Sequence, residues 1–531
     1  MRIMFLEGNG LYWIEVLDQL RERRDWSIQY WVATEEFRDP VRDRFPQAIF
    51  HETYHARMGM PPKGYMFAPG PEPGEKLHRA LSIDQIITFK MMDRLDAGDS
   101  LDYTARTDLY HNLVRYWHGA LTRLRPDALL FPTSPHVVYD YVAYALAKHL
   151  GIRTHMFERT AIRGLVLPTA RFEEGPSGFE TAYVRARRAG GKTSMTLSKS
   201  ASAHLSRLRG DYEQAMPDHL RFKLAASEIR SQSIFSWRKL RNVNRYLNYM
   251  RLFPGVVFSR AKRLRLPRAW FYGRWRGRNL PMDGLSLISG WRYLLEVRHK
   301  RARLQRCYKA LARAPDLSVP YIYLALHCQP ERSTSPDGGL FVHQDIMVAL
   351  LSAALPEGWK LYVKEHVSQF RPYQQAERGR TVEQYKRMSA CPGVSLVPIE
   401  ASSFELIDRA RAVATVTGTA GWEALVRGVP ALVFGYAWYA GCHGAYRIQS
   451  LDECKQALAV VASGARPTSD DIRACVVAAE SIGCHAYVDP ISERTSGITY
   501  DENVRNLTVA LASALEANQD DAPQQAAATT S

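Results

Sequence analysis

Cysteine is scarce in this sequence and is confined to its second half. The seven cysteines are Cys307, Cys328, Cys391, Cys442, Cys454, Cys475 and Cys484. Their number is odd, and no two of them have the C-x-x-C spacing that zinc ribbons and thiol–disulfide enzymes use. The sequence therefore predicts core or surface thiols in a reducing compartment, and it argues against a disulfide framework.

Long apolar runs are missing as well. No stretch of about 18 uncharged apolar residues occurs, and the nearest approach, Ala412–Gly441, is interrupted by Glu423 and Arg427. The chain enters an apolar segment at Met1–Leu6 without the basic region and cleavage site of a secretory signal. These absences predict a cytoplasmic protein without a membrane-spanning helix.

Metal and cofactor motifs are also absent from the sequence. There is no D-x-D pair, no HExxH, no Walker loop and no complete GxGxxG, since Gly8-Asn9-Gly10 lacks the third glycine. The acidic pairs Asp470-Asp471 and Asp520-Asp521 lack a spacing residue. We therefore expect chemistry without a metal ion or a cofactor, in which helix ends and basic side chains stabilise any phosphate charge.

Positive charge, by contrast, is abundant and local. The chain carries a net charge of +16, and residues 231–310 alone contain 20 Lys and Arg against two acids, a local charge of +18. Several tryptophans, among them Trp270 and Trp275, lie in the same segment. Cationic, tryptophan-rich helical sequence favours peripheral contact with an anionic membrane. Each basic side chain near such a surface adds about 1 kcal/mol to the free energy of binding. A basic patch that binds single-stranded nucleic acid and a solvated helical face are the alternatives, and we expect no nucleic acid.

The first 173 residues alternate strand and helix signals. The predicted strands are Arg2–Leu6, Ile28–Val32, Ala128–Phe131 and Thr154–Phe157. Short apolar strands that alternate with amphipathic helices are typical of a parallel sheet covered on both faces. This region is predicted as an N-terminal α/β domain, and residues 174–315, which lack strand signals, are predicted as a basic helical insertion.

The second half repeats the same alternation more strictly. The predicted strands are Tyr321–Leu326, Trp359–Lys364, Val394–Val397, Val413–Val416 and Ala431–Gly435, and the predicted helices are Phe341–Leu355, Val382–Ala390, Ser403–Ala410, Ala420–Arg427 and Asp501–Leu515. This order predicts a doubly wound domain over residues 316–515. Residues 516–531, rich in Ala, Gln and Thr, are predicted to be a disordered tail.

Ligands of an open parallel sheet bind beyond the carboxyl ends of the strands, so polar residues at those ends are the candidates for a site. Gln329 and Glu331 follow the first strand of the second domain, where Pro330 stiffens the turn. Lys364, Glu365 and His366 lie at the end of the next strand. Lys364 and His366 are suited to binding a phosphate, and the Glu365 carboxylate is suited to proton transfer. Ordinary polar loops and ion pairs are the alternatives for both groups.

Two further segments end strands at the same edge. In Ser402-Ser403-Phe404-Glu405 the S-x-x-E spacing predicts a capping box, which leaves Ser403 as a possible ligand donor. In Thr417-Gly418-Thr419-Ala420-Gly421 small residues precede a helix, so that a phosphate can approach its free N–H groups. Glu423 lies one helical turn inward, within reach of a ribose diol, unless it is a solvated side chain beside a tight turn.

At these residues the sequence resembles the capsule polysaccharide biosynthesis family of GT-B-like bacterial glycosyltransferases. The resemblance is best over Val319–Tyr439, in LHCQPERSTSPDGG, LYVKEH and VPIEASSFELIDRARAVATVTGTAGWEALVRGVPALVFG. The last stretch is also similar to the donor half of the non-hydrolysing sugar-nucleotide epimerases. The resemblance implies two doubly wound Rossmann-type domains, with phosphate contacts from Gly418, Thr419 and Ala420 and a ribose contact from Glu423.

The resemblance further implies a nucleotide-sugar donor and a glycan or lipid-linked glycan acceptor. Family members commonly carry a His-Pro pair associated with CMP-activated sugars such as Kdo, whereas this chain has His366-Val367. The donor therefore stays open between a CMP-Kdo-like sugar and a UDP-sugar. The N-terminal half matches more loosely, through PTSPH and FERT.

In transferases of this kind the catalytic group often comes from the N-terminal domain. Strand-end positions there make Glu7, His136 and Glu158 the candidates, each with an ordinary loop residue as the alternative. One acid is expected to act as a base toward an acceptor hydroxyl, or as a nucleophile. A sugar-nucleotide 2-epimerase and a non-catalytic polysaccharide-assembly protein are the rival functions.

Overall fold

The computed structural model describes residues 1–64, 70–96, 101–189, 196–210, 287–371 and 376–517, and two β-sheets organise them. The strands are β1 (Arg2–Phe5), β2 (Ser27–Ala33), β3 (Ile49–Glu52), β4 (Ala128–Leu130), β5 (Arg153–Arg159), β6 (Leu165–Thr169), β7 (Tyr321–Ala325), β8 (Lys360–Lys364), β9 (Val394–Val397), β10 (Ala412–Thr415), β11 (Ala431–Val433), β12 (Ala445–Arg447) and β13 (Cys484–His485).

Helices connect and cover these strands. They are α1 (Leu11–Arg23), α2 (Arg38–Arg44), α3 (Thr53–Arg57), α4 (Gly74–Ala80), α5 (Ser82–Met91), α6 (Tyr103–Leu124), α7 (Tyr139–His149), α8 (Phe179–Ala189), α9 (Lys199–Arg209), α10 (Leu287–Leu311), α11 (Gln344–Ala354), α12 (Val382–Ala390), α13 (Ser403–Arg409), α14 (Thr419–Val426), α15 (Leu451–Ala462), α16 (Ser469–Ile482), α17 (Pro490–Ser496) and α18 (Tyr500–Ala517). Short 3-10 turns lie at Glu35–Phe37, Met92–Arg94, Phe172–Glu174, Gly339–Val342 and Ala376–Arg378.

The first sheet has the strand order β13-β6-β5-β4-β1-β2-β3. Strands β1 to β5 are parallel to one another, as the alternating pattern predicts. At one edge β6 runs antiparallel to β5, and β13 runs antiparallel to β6. The reversal follows from the short connection at residues 160–164, because only antiparallel strands can be joined by so few residues.

The second sheet has the order β12-β11-β10-β7-β8-β9, and all of its neighbouring strands are parallel. Its predicted strands are confirmed to within one or two residues at each end. Their apolar side chains are buried on both faces, as in Leu361 and Val363, which explains the continuous apolar runs in the sequence. The two-domain α/β fold predicted from the sequence is therefore present.

The chain returns to the first domain at its C-terminal end. Helix α18 packs against α1, and its side chains Val504, Leu507, Leu511 and Leu515 share one apolar core with Phe5 and Trp13. Strand β13 joins the edge of the first sheet. Residues 484–515, which we assigned to the C-terminal domain by sequence order, thus complete the N-terminal domain, because their apolar face is buried there.

Helices from the predicted insertion, residues 174–315, cover the second domain. Helix α8 packs on α16, α9 on α14, and α10 on α12. Most of the basic segment 231–310 and most of the predicted tail lie outside the described residues, so the predictions made for them stay predictions. Within the described ranges, no helix is both long enough and apolar enough to span a bilayer.

One pair of cysteines corrects the prediction that all seven are thiols. Cys442 and Cys475 form a disulfide, with 5.9 Å between their Cα atoms. Cys475 is in α16, which packs beside the loop that follows β11 and so brings together two residues 33 positions apart in the chain. Spacing motifs cannot reveal such a pair, because tertiary packing alone makes it adjacent.

Candidate functional site

The carboxyl ends of β7, β8 and β10 lie side by side in the second sheet, and His327 connects two of them. The Nε2 atom of His327 lies 3.0 Å from Thr415 Oγ1, and the backbone N–H of Thr417 donates to the same nitrogen at 3.3 Å. On its other side Nδ1 lies 3.2 Å from Ser333 Oγ. The histidine therefore holds the turn after β10 against the loop after β7.

His327 is neutral in this arrangement. It is 7% exposed, and burial lowers its pKa to about 3, with His366 and Arg380 contributing in the same direction. Because a backbone N–H can only donate, Nε2 acts as the acceptor and Nδ1 carries the proton. The ring is thus a fixed, uncharged support for the turn.

The turn itself consists of Thr417 and Gly418, followed by the first residues of α14. The Gly418 N–H donates to Thr415 Oγ1 at 3.1 Å, and the Thr417 hydroxyl donates to the Ser333 carbonyl at 2.6 Å. A Cβ atom at Gly418 would lie 2.8 Å from Thr415 Oγ1 and 3.0 Å from His327 Nε2. Only glycine leaves this network undisturbed.

Helix α14 begins without a side-chain cap, since Gly418 is its N-cap residue. The next amides belong to Thr419, whose side chain is exposed, and to Ala420, which is half-buried. Free N–H groups at a helix start, together with the positive end of the helix dipole, attract a phosphate. The structure places Thr417, Gly418, Thr419 and Ala420 as the sequence predicted, at the carboxyl edge of the sheet.

Glu423 lies one turn further along α14 and is 7% exposed. Burial raises the pKa of its carboxyl group, and a hydrogen bond with the Thr419 side chain opposes this shift. The carboxylate is therefore behind Thr419 rather than at the surface.

Lys364 and Ser403 meet at the end of β8. The Lys364 ammonium group donates to Ser403 Oγ at 2.7 Å and to the Ala401 carbonyl at 2.6 Å. Burial lowers the pKa of Lys364 to about 8, while Glu400 acts in the opposite direction. These two separately predicted candidates are thus in contact, with a cation held next to the start of α13. Ser402 caps α13 through its hydroxyl, which accepts from the Glu405 N–H at 3.3 Å.

The Glu365 side chain does not join Lys364 and Ser403 at the carboxyl edge of the second sheet. Its carboxylate accepts from Arg380 Nε at 2.9 Å and from the Tyr385 hydroxyl at 2.7 Å, and its side chain has no exposed area. The predicted role in proton transfer is corrected accordingly, because the carboxylate forms a buried ion pair within the core. The next residue, His366, is half-buried, and its Nδ1 accepts from the Ser368 N–H at 3.2 Å.

Gln329 is likewise turned into the domain. It is 1% exposed, and its amide nitrogen donates to the Val342 carbonyl at 2.6 Å. The prediction that it faces the ligand is wrong, because the amide stabilises the loop after β7 instead. Glu331 is half-buried, and its carbonyl group accepts from Thr334 within the same loop.

In the first domain Glu7 follows β1 in a left-handed conformation, with φ 62°. Its carboxylate accepts from the Tyr139 hydroxyl at 2.7 Å and from the Asn9 amide at 3.0 Å. Val138 has φ 77°, unusual for a β-branched residue, and lies in the loop after the neighbouring strand β4. Positive φ at both strand ends concentrates backbone strain at the edge that faces the second domain.

The loop of His136 is held by Asp140. The Asp140 carboxylate accepts from the backbone N–H groups of His136 at 2.9 Å and Val137 at 2.6 Å. Burial raises the pKa of Asp140 to about 7, and Glu7 adds to the shift. Burial, together with Arg94 and Arg332, keeps the pKa of His136 well below its ordinary value, so His136 is neutral.

Glu158 lies where the two domains touch. Its Oε2 atom is 3.6 Å from Nη1 of Arg332, a residue of the loop after β7, and the same Nη1 donates to Ser134 Oγ at 3.0 Å. Beside them Arg94 donates to the carbonyl groups of His136 and Ser335, both at 2.6 Å. His136 and Glu158, from neighbouring strands, are thus brought against the second domain.

Sequence reasoning missed several residues of this region, namely His327, Thr415, Ser333, Arg332 and Asp337. His327 directly follows a predicted strand, so strand-end logic had the signal to select it. Arg332, Ser333 and Asp337 become site residues only through the folding of the loop after β7, and Thr415, at the end of β10, becomes one through its contact with His327. In the part of the chain that the structure describes, no three His, Cys, Asp or Glu side chains are grouped to hold a metal ion.

A family comparison supports the resemblance seen in the sequence. Residues 342–458 match the family model described as capsule polysaccharide biosynthesis protein. This segment contains Lys364, Ser403 and the turn at Gly418. The predicted resemblance to this family is confirmed for this part of the chain. No curated protein sequence matches the chain.

Solved structures similar to this chain include transferases and epimerases. KpsC β-Kdo 2,7-transferase of Thermosulfurimonas dismutans is 16% identical over 42% of this chain and 66% of its own, with a TM-score of 0.22. The UDP-GlcNAc 2-epimerase of Methanocaldococcus jannaschii is 12% identical over 91% of this chain and 98% of its own, with a TM-score of 0.24. The calicheamicin glycosyltransferase CalG4 is 14% identical over 98% of this chain and 97% of its own, with a TM-score of 0.17.

Proposed function

We propose that this protein is a glycosyltransferase that moves a sugar from a nucleotide-activated donor to a cell-surface polysaccharide acceptor. The match of residues 342–458 to the capsule polysaccharide biosynthesis family supports the biological setting. The chemistry is supported by an uncapped helix start at the carboxyl edge of a parallel sheet, in a chain with a second α/β domain. The donor is a CMP-Kdo-like sugar or a UDP-sugar.

The observation that carries the proposal is the uncapped start of α14 beside the His327 network. Thr419 and Ala420 present helix-terminal N–H groups, while Gly418 lets the turn pack directly against Thr415 and His327. The amides of a helix N-terminus bind a phosphate without a metal ion. We assign the donor phosphates to Gly418, Thr419 and Ala420, and the ribose to Glu423.

Charge on the leaving group is stabilised by the protein in this scheme. Lys364 is the last residue of β8 and His366 follows the strand, which lies next to β7 in the sheet. Preorganised N–H groups and cations stabilise the charge that develops on a departing phosphate. The reaction would therefore proceed without a metal ion, and the nucleotide-sugar would be a substrate and not a resident cofactor.

A nucleotide panel tests the proposal. CMP, UDP and GDP are added separately to the wild type, to Gly418→Ala and to Gly441→Ala, and the unfolding temperature is measured. Binding at 100 times Kd stabilises a protein by about 2.7 kcal/mol, so at least one nucleotide raises the unfolding temperature of the wild type. Gly418→Ala loses this response, because its Cβ displaces Thr415 and His327.

Gly441→Ala is the matched control, since a Cβ there meets Phe179 at an ordinary 3.6 Å. If no nucleotide stabilises the wild type, the transferase proposal fails and a non-catalytic assembly role gains support. If UDP binds and UDP-N-acetylglucosamine is epimerised at C2 without an acceptor, the protein is an epimerase instead.

A further inference from the structure

Two carboxylates approach one guanidinium group at the contact between the domains. Nη1 of Arg332 lies 3.6 Å from Glu158 Oε2 and 3.8 Å from Asp337 Oδ2. Both distances are longer than a hydrogen bond, so neither carboxylate is bonded directly to Arg332. Glu158 comes from β5 of the first domain, and Asp337 comes from the loop after β7 of the second.

The loop that carries Arg332 and Asp337 also contains hydrogen-bonding groups without partners. Asp337 is 3% exposed and Ser335 is 1% exposed, yet Asp337 Oδ1 and Ser335 Oγ have no partner among the described residues. A buried carboxylate oxygen without a donor is costly, and a third group can bridge polar atoms that lie more than about 3.5 Å apart. A hydroxyl fits this position, because it donates to a carboxylate and accepts from an N–H.

The cluster can be reached from outside. The Glu158 and Arg332 side chains each keep 15% of their area exposed, whereas Asp337 keeps 4%. Ser134 holds the buried side of the cluster, since its hydroxyl accepts from Arg332 and bonds to Asp337. Glu158 is thus the member that an incoming group meets first, and Asp337 lies behind it.

We propose that Glu158 and Asp337 form one proton-accepting pair for the acceptor hydroxyl of the sugar transfer, with Arg332 as the positioning residue between them. The inference rests on the proposed function and names the residues that act on the acceptor. The proposed base differs from the single N-terminal acid expected from the sequence, because Asp337 belongs to the donor-side domain. The pair is complete only while the domains are in contact.

The transfer step balances with this assignment. The acceptor oxygen forms a bond to the anomeric carbon, and the bond between that carbon and the phosphate oxygen breaks, its electron pair leaving with the nucleotide. The hydroxyl proton goes to the Glu158–Asp337 pair and is later released to water. The products are the new glycoside, the free nucleotide and one proton.

The surroundings give the pair a basicity suited to this role. Burial raises the pKa of Glu158, Arg332 opposes this shift, and Asp337 adds to it. Burial likewise raises the pKa of Asp337. The ionisable groups that face the pair are Arg94, His136, Arg159, Arg332 and Asp489. A base works best when its pKa is near the working pH, and a carboxylate of ordinary pKa would be too weak.

Nucleotide release as a function of pH tests the pair. CMP-Kdo, UDP-glucose and UDP-N-acetylglucosamine are supplied as donors with water as the acceptor, and released nucleotide is measured from about pH 5 to 9. The wild-type rate rises with pH as the pair loses its proton. Glu158→Gln lowers the rate by about 100-fold or more and keeps nucleotide affinity. Asp337→Asn moves the rise to lower pH, because Glu158 loses a negative neighbour.

Asp345→Asn is the matched control, since Asp345 pairs with Arg387 away from this cluster, and its pH profile should equal that of the wild type. Wild-type turnover in Glu158→Gln, or an unmoved profile in Asp337→Asn, would show that the cluster is only an ion pair between domains. Absence of nucleotide binding by the wild type is a different result and defeats the proposed function itself.

A second measurement needs no substrate. An acid whose pKa is raised in the folded state binds a proton that the unfolded chain has already lost, so its contribution to stability falls as pH rises from about 4.3 to the raised value. The unfolding midpoint of the wild type should therefore fall more steeply over this window than that of Glu158→Gln. Parallel curves would overturn the shared-proton pair.

Discussion

At the residue scale, Glu365 and Arg380 form the most completely buried ion pair that the structure describes in the second domain. Their side chains are 0% and 1% exposed, and Glu365 also accepts from Tyr385. Removing one partner of a buried pair leaves an uncompensated charge and costs about 3–5 kcal/mol. We predict that Glu365→Gln lowers the free energy of unfolding, measured by urea denaturation, by about 3–5 kcal/mol.

Glu383→Gln provides the comparison, because Glu383 pairs with Lys386 at the surface, where both side chains are more than half exposed. That variant should change the free energy of unfolding by about 0.5 kcal/mol or less. A Glu365→Gln protein of unchanged stability that has lost turnover would contradict the structural role and restore the catalytic one.

Strand-end logic located some site residues and misplaced others, for a physical reason. The turn at Gly418 was predictable, because small residues between a predicted strand and a predicted helix tolerate the backbone conformations of a tight turn. Glu365 and Gln329 also follow strands, but the direction of a side chain depends on its tertiary partners, Arg380 and Val342. A single sequence does not reveal those partners.

At the scale of elements, α18 links the end of the chain to the first domain. Leu507 is 0% exposed in the apolar core that it shares with α1, whereas Val509 is 58% exposed. Replacing a buried leucine by alanine costs about 2–5 kcal/mol, because a cavity remains. We predict that Leu507→Ala speeds amide hydrogen exchange in α1, whereas Val509→Ala leaves it unchanged.

The helix in which amide hydrogen exchange becomes faster shows whether α18 belongs to the N-terminal or the C-terminal domain. If Leu507→Ala loosened α15 or the second sheet and left α1 protected, α18 would belong to the C-terminal domain as sequence order suggested.

Elements with strong local signals were predictable, and elements that depend on distant partners were not. The predicted boundaries are exact for the strand Val394–Val397 and the helix Val382–Ala390. In both, the spacing of apolar residues and the flanking turn residues indicate the same ends. Strand β13 has two residues and exists only by pairing with β6, more than 300 positions earlier in the chain. Local pattern carries no information on such a pairing.

At the scale of the whole molecule, the charge of the chain is concentrated in residues 231–310, which carry +18. We predict that the protein floats with vesicles containing anionic lipid at low salt and is released at high salt. Replacing Arg263, Arg265 and Arg268 by Gln should weaken this binding about 100-fold, since each basic residue contributes about 1 kcal/mol.

A variant with Gln at the exposed Arg23, Arg79 and Arg411 removes the same charge elsewhere and should still float. Equal loss in both variants would indicate a non-specific effect of net charge, and absence of flotation at either salt concentration would refute membrane contact.

The central claim is that a nucleotide docks at the start of α14, between the two domains. The most direct measurement is a crystal structure of the protein with the nucleotide that stabilises it most. We predict phosphate oxygens within hydrogen-bond distance of the Thr419 and Ala420 amides, with the ribose beside Glu423. A nucleotide bound elsewhere, with this turn covered by the protein's own side chains, would contradict the account.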